Sequence, residues 1–124
     1  MKEEVLNWLK QAESDMRKAK LLFAGREYDG VTFYSQQAAE KALKSVHLYK
    51  DFGIIKTHDL FILGKKVGLA KDLIEKAILL NPFYTSSRYP LISEEQIISD
   101  EESAKDSLNH STEILKWCKQ QIKI

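Results

Sequence analysis

Apolar residues recur at three- and four-residue steps along most of this chain, and this spacing is the feature that most restricts its fold. The first segment shows the pattern, with charged residues between the apolar ones: Val5, Leu9, Ala12, Met16, Ala19 and Phe23. Such steps place side chains on one face of an α-helix. No segment keeps the two-residue alternation of a half-buried strand. The sequence therefore predicts an all-α protein.

Glycine, proline and capping residues divide the chain into four to five predicted helices. These cover residues 3–24, 30–50, 58–67, 70–80 and the segment from about residue 100 onward. Asp29 and Thr57 are expected to cap the second and third helices. Ser99 and Glu102 match a capping box for the fifth. Short connections between the helices predict an up-and-down antiparallel bundle that forms a single domain over residues 1–124.

Charge and cysteine content exclude several classes of protein. With 19 basic and 18 acidic residues the net charge is +1, so nucleic-acid binding would need a local basic patch. Cys118 is the one cysteine, which excludes an internal disulfide, and its place on an apolar stripe predicts a buried, inert thiol. The chain has no apolar run long enough to span a membrane, and its acidic start does not look like a signal peptide. We therefore expect a cytoplasmic protein.

Two adjacent glutamines, Gln36 and Gln37, lie in an alanine-rich stretch of the second predicted helix. Amide side chains at a level where leucines would pack better need either a buried polar network or a surface that meets a partner. We interpret them as forming an amide network at a close helix contact or a two-fold interface. The alternative is that Gln37 and Lys41 face a groove and contact a nucleotide.

Further motifs accompany the glutamines in a fixed order. Trp8-Leu9-Lys10-Gln11-Ala12 opens the chain, Thr57-His58-Asp59-Leu60 follows the glutamine-rich helix, and Tyr84 with Ser87-Arg88-Tyr89-Pro90 precedes the last helix. In this order they resemble, over nearly the whole length, the HEPN family, named for higher eukaryotes and prokaryotes and for proposed nucleotide binding. The resemblance implies a helical bundle that commonly forms homodimers. It also implies a minimal nucleotidyltransferase as a partner protein, often in a toxin–antitoxin couple.

Members of that family that act as ribonucleases often carry an Arg-x4–6-His motif late in the chain, and this sequence departs from the motif. None of its arginines is followed by a histidine at that spacing; the nearest imitation is Lys105 with His110. Lysine lacks the planar fork that holds a phosphate in a fixed orientation. We therefore favour a binding module over an enzyme. A toxin-type, metal-independent ribonuclease is the alternative, and it needs Lys105 and His110, or Arg88 and His58, to converge across a dimer cleft.

Arg88 is the best single polar candidate for a ligand-binding residue. It lies among hydroxyl side chains and next to Tyr89, so it could bind a phosphate while a tyrosine stacks on a base. The alternative is that Arg88 pairs with a carboxylate such as Glu40 while the tyrosines pack the loop onto the bundle. On that interpretation the chain is a purely structural interaction domain.

His58 completes the predicted ligand site together with Arg88, Tyr89, Lys41 and Gln37. It is placed at the first turn of the third predicted helix, where it could help neutralise a phosphate. The alternative is a capping turn in which its imidazole and the carboxylate of the neighbouring Asp59 bond to backbone groups. No histidine has a partner at metal-site spacing, so we expect neither a metal nor another cofactor. The predicted ligand is a nucleotide or RNA.

Overall fold

The computed structural model describes residues 2–84 and 99–123, in which five helices of eight residues or more are formed. In chain order they are α1 (Glu3–Ala24), α2 (Tyr28–Tyr49), α3 (Leu60–Val67), α4 (Lys71–Leu80) and α5 (Glu101–Ile122). No strand occurs in the described residues, so the predicted all-α class is confirmed. None of these helices is both long and apolar enough to cross a membrane.

The helices pack around α2 as an up-and-down bundle. α1 runs antiparallel to α2, since Ser45 near the end of α2 donates a hydrogen bond to the carbonyl of Val5 at 2.8 Å. α5 starts beside the start of α2, where the hydroxyls of Thr32 and Ser99 lie 2.7 Å apart. The α3–α4 hairpin packs on α2 and α5. The predicted bundle architecture is therefore confirmed.

The core sits along α2, where the small side chains let neighbouring helices approach closely. The fully buried apolar residues of α2 are Val31, Ala38, Ala39, Ala42, Leu43 and Val46. Leucines and isoleucines of the other helices fill the space around them, among them Leu9, Leu60, Leu63, Leu80 and Ile114. Cys118 belongs to this core, and its burial raises the pKa of its thiol. The predicted burial of this cysteine is confirmed.

The prediction that Asp29 caps α2 is wrong, because α2 starts earlier than expected. The turn after α1 closes when the backbone N–H of Glu27 donates to the carbonyl of Leu22 at 2.9 Å. Tyr28 is thereby already helical and Glu27 takes the cap position. Asp29 lies in the first turn, where its carboxylate accepts from the N–H of Gly30 at 3.0 Å.

The predicted caps of α3 and α5 are also wrong, in each case because a nearby aspartate takes the position. Asp59 caps α3, and the hydroxyl of Thr57 instead accepts from the N–H of Asp59 at 3.1 Å. Asp100 caps α5 in a capping box with Ser103, one residue beyond the predicted Ser99–Glu102 pair. An aspartate carboxylate is a strong acceptor for the free N–H groups of a helix start.

Candidate ligand-binding site

Three polar side chains at four-residue spacing lie on one face of α2 and are buried. Gln36 is 0% exposed, Glu40 3% and Lys44 7%. The Lys44 ammonium lies 5.5 Å from the centre of the Trp8 ring on α1. Since buried polar groups are costly without partners, these side chains should bond to one another and to their surroundings.

The Glu40 carboxylate is the centre of this network. It accepts from Lys44 Nζ at 3.1 Å, from His58 Nδ1 at 3.1 and 3.2 Å, and from Gln36 Nε2 at 3.3 Å. These donors come from α2 and from the loop that precedes α3. A buried carboxylate with one ammonium and two further donors is compensated both in charge and in hydrogen bonds.

His58 is fixed by Glu40 but remains open to solvent. Because an ionised carboxylate can only accept, we assign the Nδ1 proton to the bond with Glu40, which leaves Nε2 of a neutral ring as an acceptor. The side chain is 48% exposed. Its ring stacks on Tyr84, with 4.3 Å between ring centres and 16° between planes. The site therefore offers an oriented imidazole and an aromatic surface.

The two glutamines link this site along α2. Gln37 Nε2 donates to Gln36 Oε1 at 2.7 Å, and Gln36 Nε2 also donates to the backbone carbonyl of His58 at 3.3 Å. Gln36 thereby holds the loop before α3 against α2. The glutamine pair predicted an amide network across a close helix contact or a two-fold interface; the hydrogen bonds observed run along α2 and to the loop before α3, within one chain.

The N-terminus of α3, predicted as a place for a phosphate, is occupied by side chains of the protein. Asp59 accepts from the N–H groups of Phe61 at 2.8 Å and Ile62 at 3.3 Å. Asn81 accepts from the N–H of Leu60 at 2.7 Å and donates to Asp59 at 2.9 Å. These backbone donors are therefore not available to an anion.

Lys41, a predicted ligand-binding residue, pairs with a buried aspartate instead of facing an empty groove. Its ammonium lies 2.7 Å from Asp15, which is 3% exposed and comes from α1. Lys18 lies 3.8 Å from the same carboxylate and 5.5 Å from the centre of the Tyr34 ring. This second ion-pair cluster fastens α1 to α2 next to the Glu40 network.

Of the residues in the predicted site, the structure connects His58 and Gln37, since both are hydrogen-bonded to Gln36. Arg88 and Tyr89 lie outside the described residues. The alternative pair, Lys105 and His110, is on α5, where five residues of helix turn side chains about 140° apart. Lys105 is exposed and His110 half-buried. These two side chains therefore do not share a face within one chain.

Glu40, Lys44 and Tyr84 are the residues of the site that the predicted set omits. The four-residue spacing from Gln36 to Glu40 to Lys44 is visible in the sequence and places them on one helical face. What the spacing cannot show is that His58, from another segment, completes the network. In residues 2–84 and 99–123, no group of three or more histidine, cysteine, aspartate or glutamate side chains could hold a metal ion.

Comparisons with known proteins agree with this architecture. The sequence profile of the HEPN domain matches residues 5–121. TT1696 from Thermus thermophilus is 27% identical with a TM-score of 0.87, covering 97% of this chain and 99% of that protein. ST0689, described as an archaeal HEPN homologue, is 34% identical with a TM-score of 0.79, covering 98% and 99%. Among curated protein sequences, none matches this chain.

Proposed function

The chain belongs to the HEPN domain family, and we propose that it is a homodimeric module that binds a nucleotide or RNA beside His58. The observation that supports this most is that buried Glu40 fixes the His58 ring while 48% of that side chain stays exposed. The ring stacks on Tyr84, and such aromatic surfaces are used by proteins to stack nucleobases. Nε2 of His58 adds a hydrogen-bonding group at the edge of that surface.

The charges around the site indicate how a nucleotide would be held. Lys41 and Lys44 are already paired with Asp15 and Glu40. Around His58, the described residues therefore offer base contacts more than free positive charge. We assign the phosphate contact to Arg88, four residues after Tyr84 in the sequence, because a guanidinium binds phosphate in a bidentate manner.

Binding of defined ligands to the purified protein tests this proposal. We would titrate the 15N-labelled chain with AMP, UMP and a uridylate hexamer and follow backbone amide shifts. Tyr84→Ala should weaken binding by about tenfold or more, since one stacked base contributes roughly 1–3 kcal/mol. Tyr49→Ala, which removes an exposed tyrosine at the end of α2, is the matched control. No binding at millimolar ligand, or equal losses in both variants, would contradict the proposal.

An apolar patch at the open end of the α3–α4 hairpin supports the homodimer. Its four side chains are between 41% and 58% exposed: Phe61, Ile62, Ile78 and Leu79. Phe61 and Ile62 at the start of α3 lie near Ile78 and Leu79 at the end of α4. The two helix ends meet because the side chain of Asn81, directly after α4, accepts from the N–H of Leu60 at 2.7 Å. Adjacent exposed apolar side chains are typical of protein–protein contacts. A second copy covers this patch in the proposed dimer, next to the segment that carries His58.

The mass of the protein in solution tests the dimer. Light scattering on the wild-type chain should give about twice the chain mass of 14.3 kDa. Phe61→Glu combined with Leu79→Glu should give the monomer, since both charges would be buried in the interface. Leu21→Glu, at a position 74% exposed on α1, should leave the dimer intact. A monomeric wild-type protein would rule the dimer out.

The proposed partner is a minimal nucleotidyltransferase in a toxin–antitoxin couple, and family membership is the support for it. The ribonuclease and the purely structural domain are the competing functions. Expressing the chain alone and with its genomic neighbour, and scoring growth and RNA integrity, separates them. Growth arrest with RNA cleavage that His110→Ala abolishes would establish the ribonuclease. Intact RNA together with ligand binding that depends on Tyr84 would favour the module proposed here.

A further inference from the structure

A groove between α1 and α5 uses none of the residues of the His58 site. Both helices pack mainly on α2 and touch each other less, which leaves a groove of about 550 Å³ between them. Its apolar floor is formed by Met16 and Leu115, which are 5% and 7% exposed. The hydroxyl of Thr112 contacts the sulfur of Met16 at 3.8 Å and joins the two helices there.

Both rims of this groove are basic. Arg17 and Lys20 line it from α1, and Lys116 and Lys119 line it from α5. Glu13 is the one acidic residue among the described lining residues, and it is already paired with Lys119. Within the described part of the chain, Arg17, Lys20 and Lys116 have no ion-pair partner. In a chain with a net charge of +1, this is a marked local excess of positive charge.

We propose that this groove binds an acidic amphipathic helix of a partner protein. Two basic rims on either side of an apolar floor are complementary to a helix whose apolar stripe is flanked by aspartate or glutamate. The lining residues extend over 13–20 in α1 and 112–120 in α5, which is about two helical turns or roughly 10–12 Å. Two turns are enough for three or four anchor residues of a docked helix.

A nucleic acid fits the groove less well. None of the described lining residues is aromatic, so the groove offers bases no side chain on which to stack. Phosphates would gain from the cations but not from the apolar floor of Met16 and Leu115. A methionine in such a floor adapts its shape to different apolar side chains, which suits a protein partner.

Titration with synthetic peptides tests the proposal. The probe is a helical peptide of about 14 residues, with leucines at positions i, i+3, i+4 and i+7 and glutamates beside them. A second peptide carries lysines in place of the glutamates. Amide shifts of the 15N-labelled full chain should change along the groove with the glutamate peptide and not with the lysine peptide.

Charge reversal separates the groove from general electrostatic attraction. Arg17→Glu combined with Lys116→Glu should weaken binding of the glutamate peptide by about tenfold or more. Lys10→Glu combined with Lys65→Glu changes the net charge equally at exposed positions outside the groove, and should have little effect. Thermal melts check that all variants remain folded.

Four results would overturn the proposal. The first is an equal loss of peptide affinity in the two double variants, and the second is the absence of amide shifts at about 1 mM peptide. The third is amide shifts in the groove that depend on protein concentration when no peptide is present. The fourth is displacement of the peptide by a uridylate dodecamer. The third would assign the groove to a second copy of the chain and the fourth to nucleic acid. Because Tyr84→Ala leaves the groove intact, failure here is distinguishable from failure of the His58 site.

Discussion

At the scale of single residues, Glu40 determines the geometry of the candidate site. Its carboxylate orients His58 and at the same time compensates the charge of Lys44, a residue that is only 7% exposed. A buried pair of this kind adds little net stability compared with apolar residues of the same shape. Removing one member is different, because it leaves the other charge buried and uncompensated.

We therefore expect Glu40→Ala to lower the free energy of unfolding by about 3–5 kcal/mol. Urea denaturation followed by circular dichroism measures it. Glu113→Ala is the control: Glu113 also pairs with a lysine, Lys76, but its side chain is 51% exposed. Exposed ion pairs are screened by water, so this change should cost no more than about 1 kcal/mol. Similar losses of stability in the two variants would show that water screens the Glu40 ion pair as it screens an exposed one.

The residue scale also shows how far sequence reasoning reaches. The four-residue spacing of Gln36 and Glu40 places them on one face of α2, and in the structure the two side chains are hydrogen-bonded. The role of Lys41 could not be predicted in the same way, because its partner Asp15 belongs to another helix. Periodicity identifies which side chains share a face. It does not identify which side chain of a neighbouring helix lies opposite.

At the scale of helices, the sequence predicts their number and their interiors well and their first residues poorly. Helix interiors follow from apolar periodicity, which many residues determine together. A helix start depends on which of several neighbouring acceptors reaches the free N–H groups. At α3 the choice lay between Thr57 and Asp59, and at α5 between Ser99 and Asp100. In both cases the aspartate caps the helix.

The cap of α5 should make stability depend on pH. Hydrogen bonds from the backbone N–H and the hydroxyl of Ser103 lower the pKa of Asp100 below its ordinary value of 3.8. A lowered pKa in the folded state means that the stabilisation is present above pH 3.8 and is lost as the pH falls through the folded-state value. Asp100→Asn should thus melt at a lower temperature than wild type at pH 7, and the gap should close in acid.

Melting curves between pH 7 and pH 2 measure this gap. Ser103→Ala removes the hydroxyl but keeps the backbone donor, so on that background the effect of Asp100→Asn should be smaller but still present. A gap that is constant across the pH range would show that the charge of Asp100 does not contribute to the cap.

The end of α3 depends on the backbone conformation of Gly68. Its φ of 76° lies in the left-handed region, and the next residue, Leu69, donates back to the carbonyl of Gly64 at 2.9 Å. A Cβ at Gly68 would meet no atom within 4 Å, so the cost of a side chain is conformational. Gly68→Ala should destabilise the protein by about 1 kcal/mol. Gly68→Asn should recover part of this loss in chemical denaturation, since asparagine tolerates the left-handed region; equal losses would contradict this explanation.

At the scale of the whole molecule, one helix supports both the core and the candidate site. α2 contacts each of the four other described helices and carries both the buried Leu43 and the buried Glu40. The two tryptophans report on separate neighbours of α2, because Trp8 belongs to α1 and Trp117 to α5. A substitution that loosens the packing on α2 should therefore destabilise the helices in contact with it together.

Leu43→Ala tests this coupling. The side chain is completely buried, so its truncation should cost about 2–5 kcal/mol through lost burial and a residual cavity. Leu21→Ala, at a position 74% exposed on α1, should change stability by no more than about 0.5 kcal/mol. Far-ultraviolet circular dichroism and tryptophan fluorescence should give coincident urea transitions for both variants, since a domain of this size unfolds as one unit. If the α3–α4 hairpin folded independently of α2, the circular dichroism transition of Leu43→Ala would keep a part that tryptophan fluorescence does not follow.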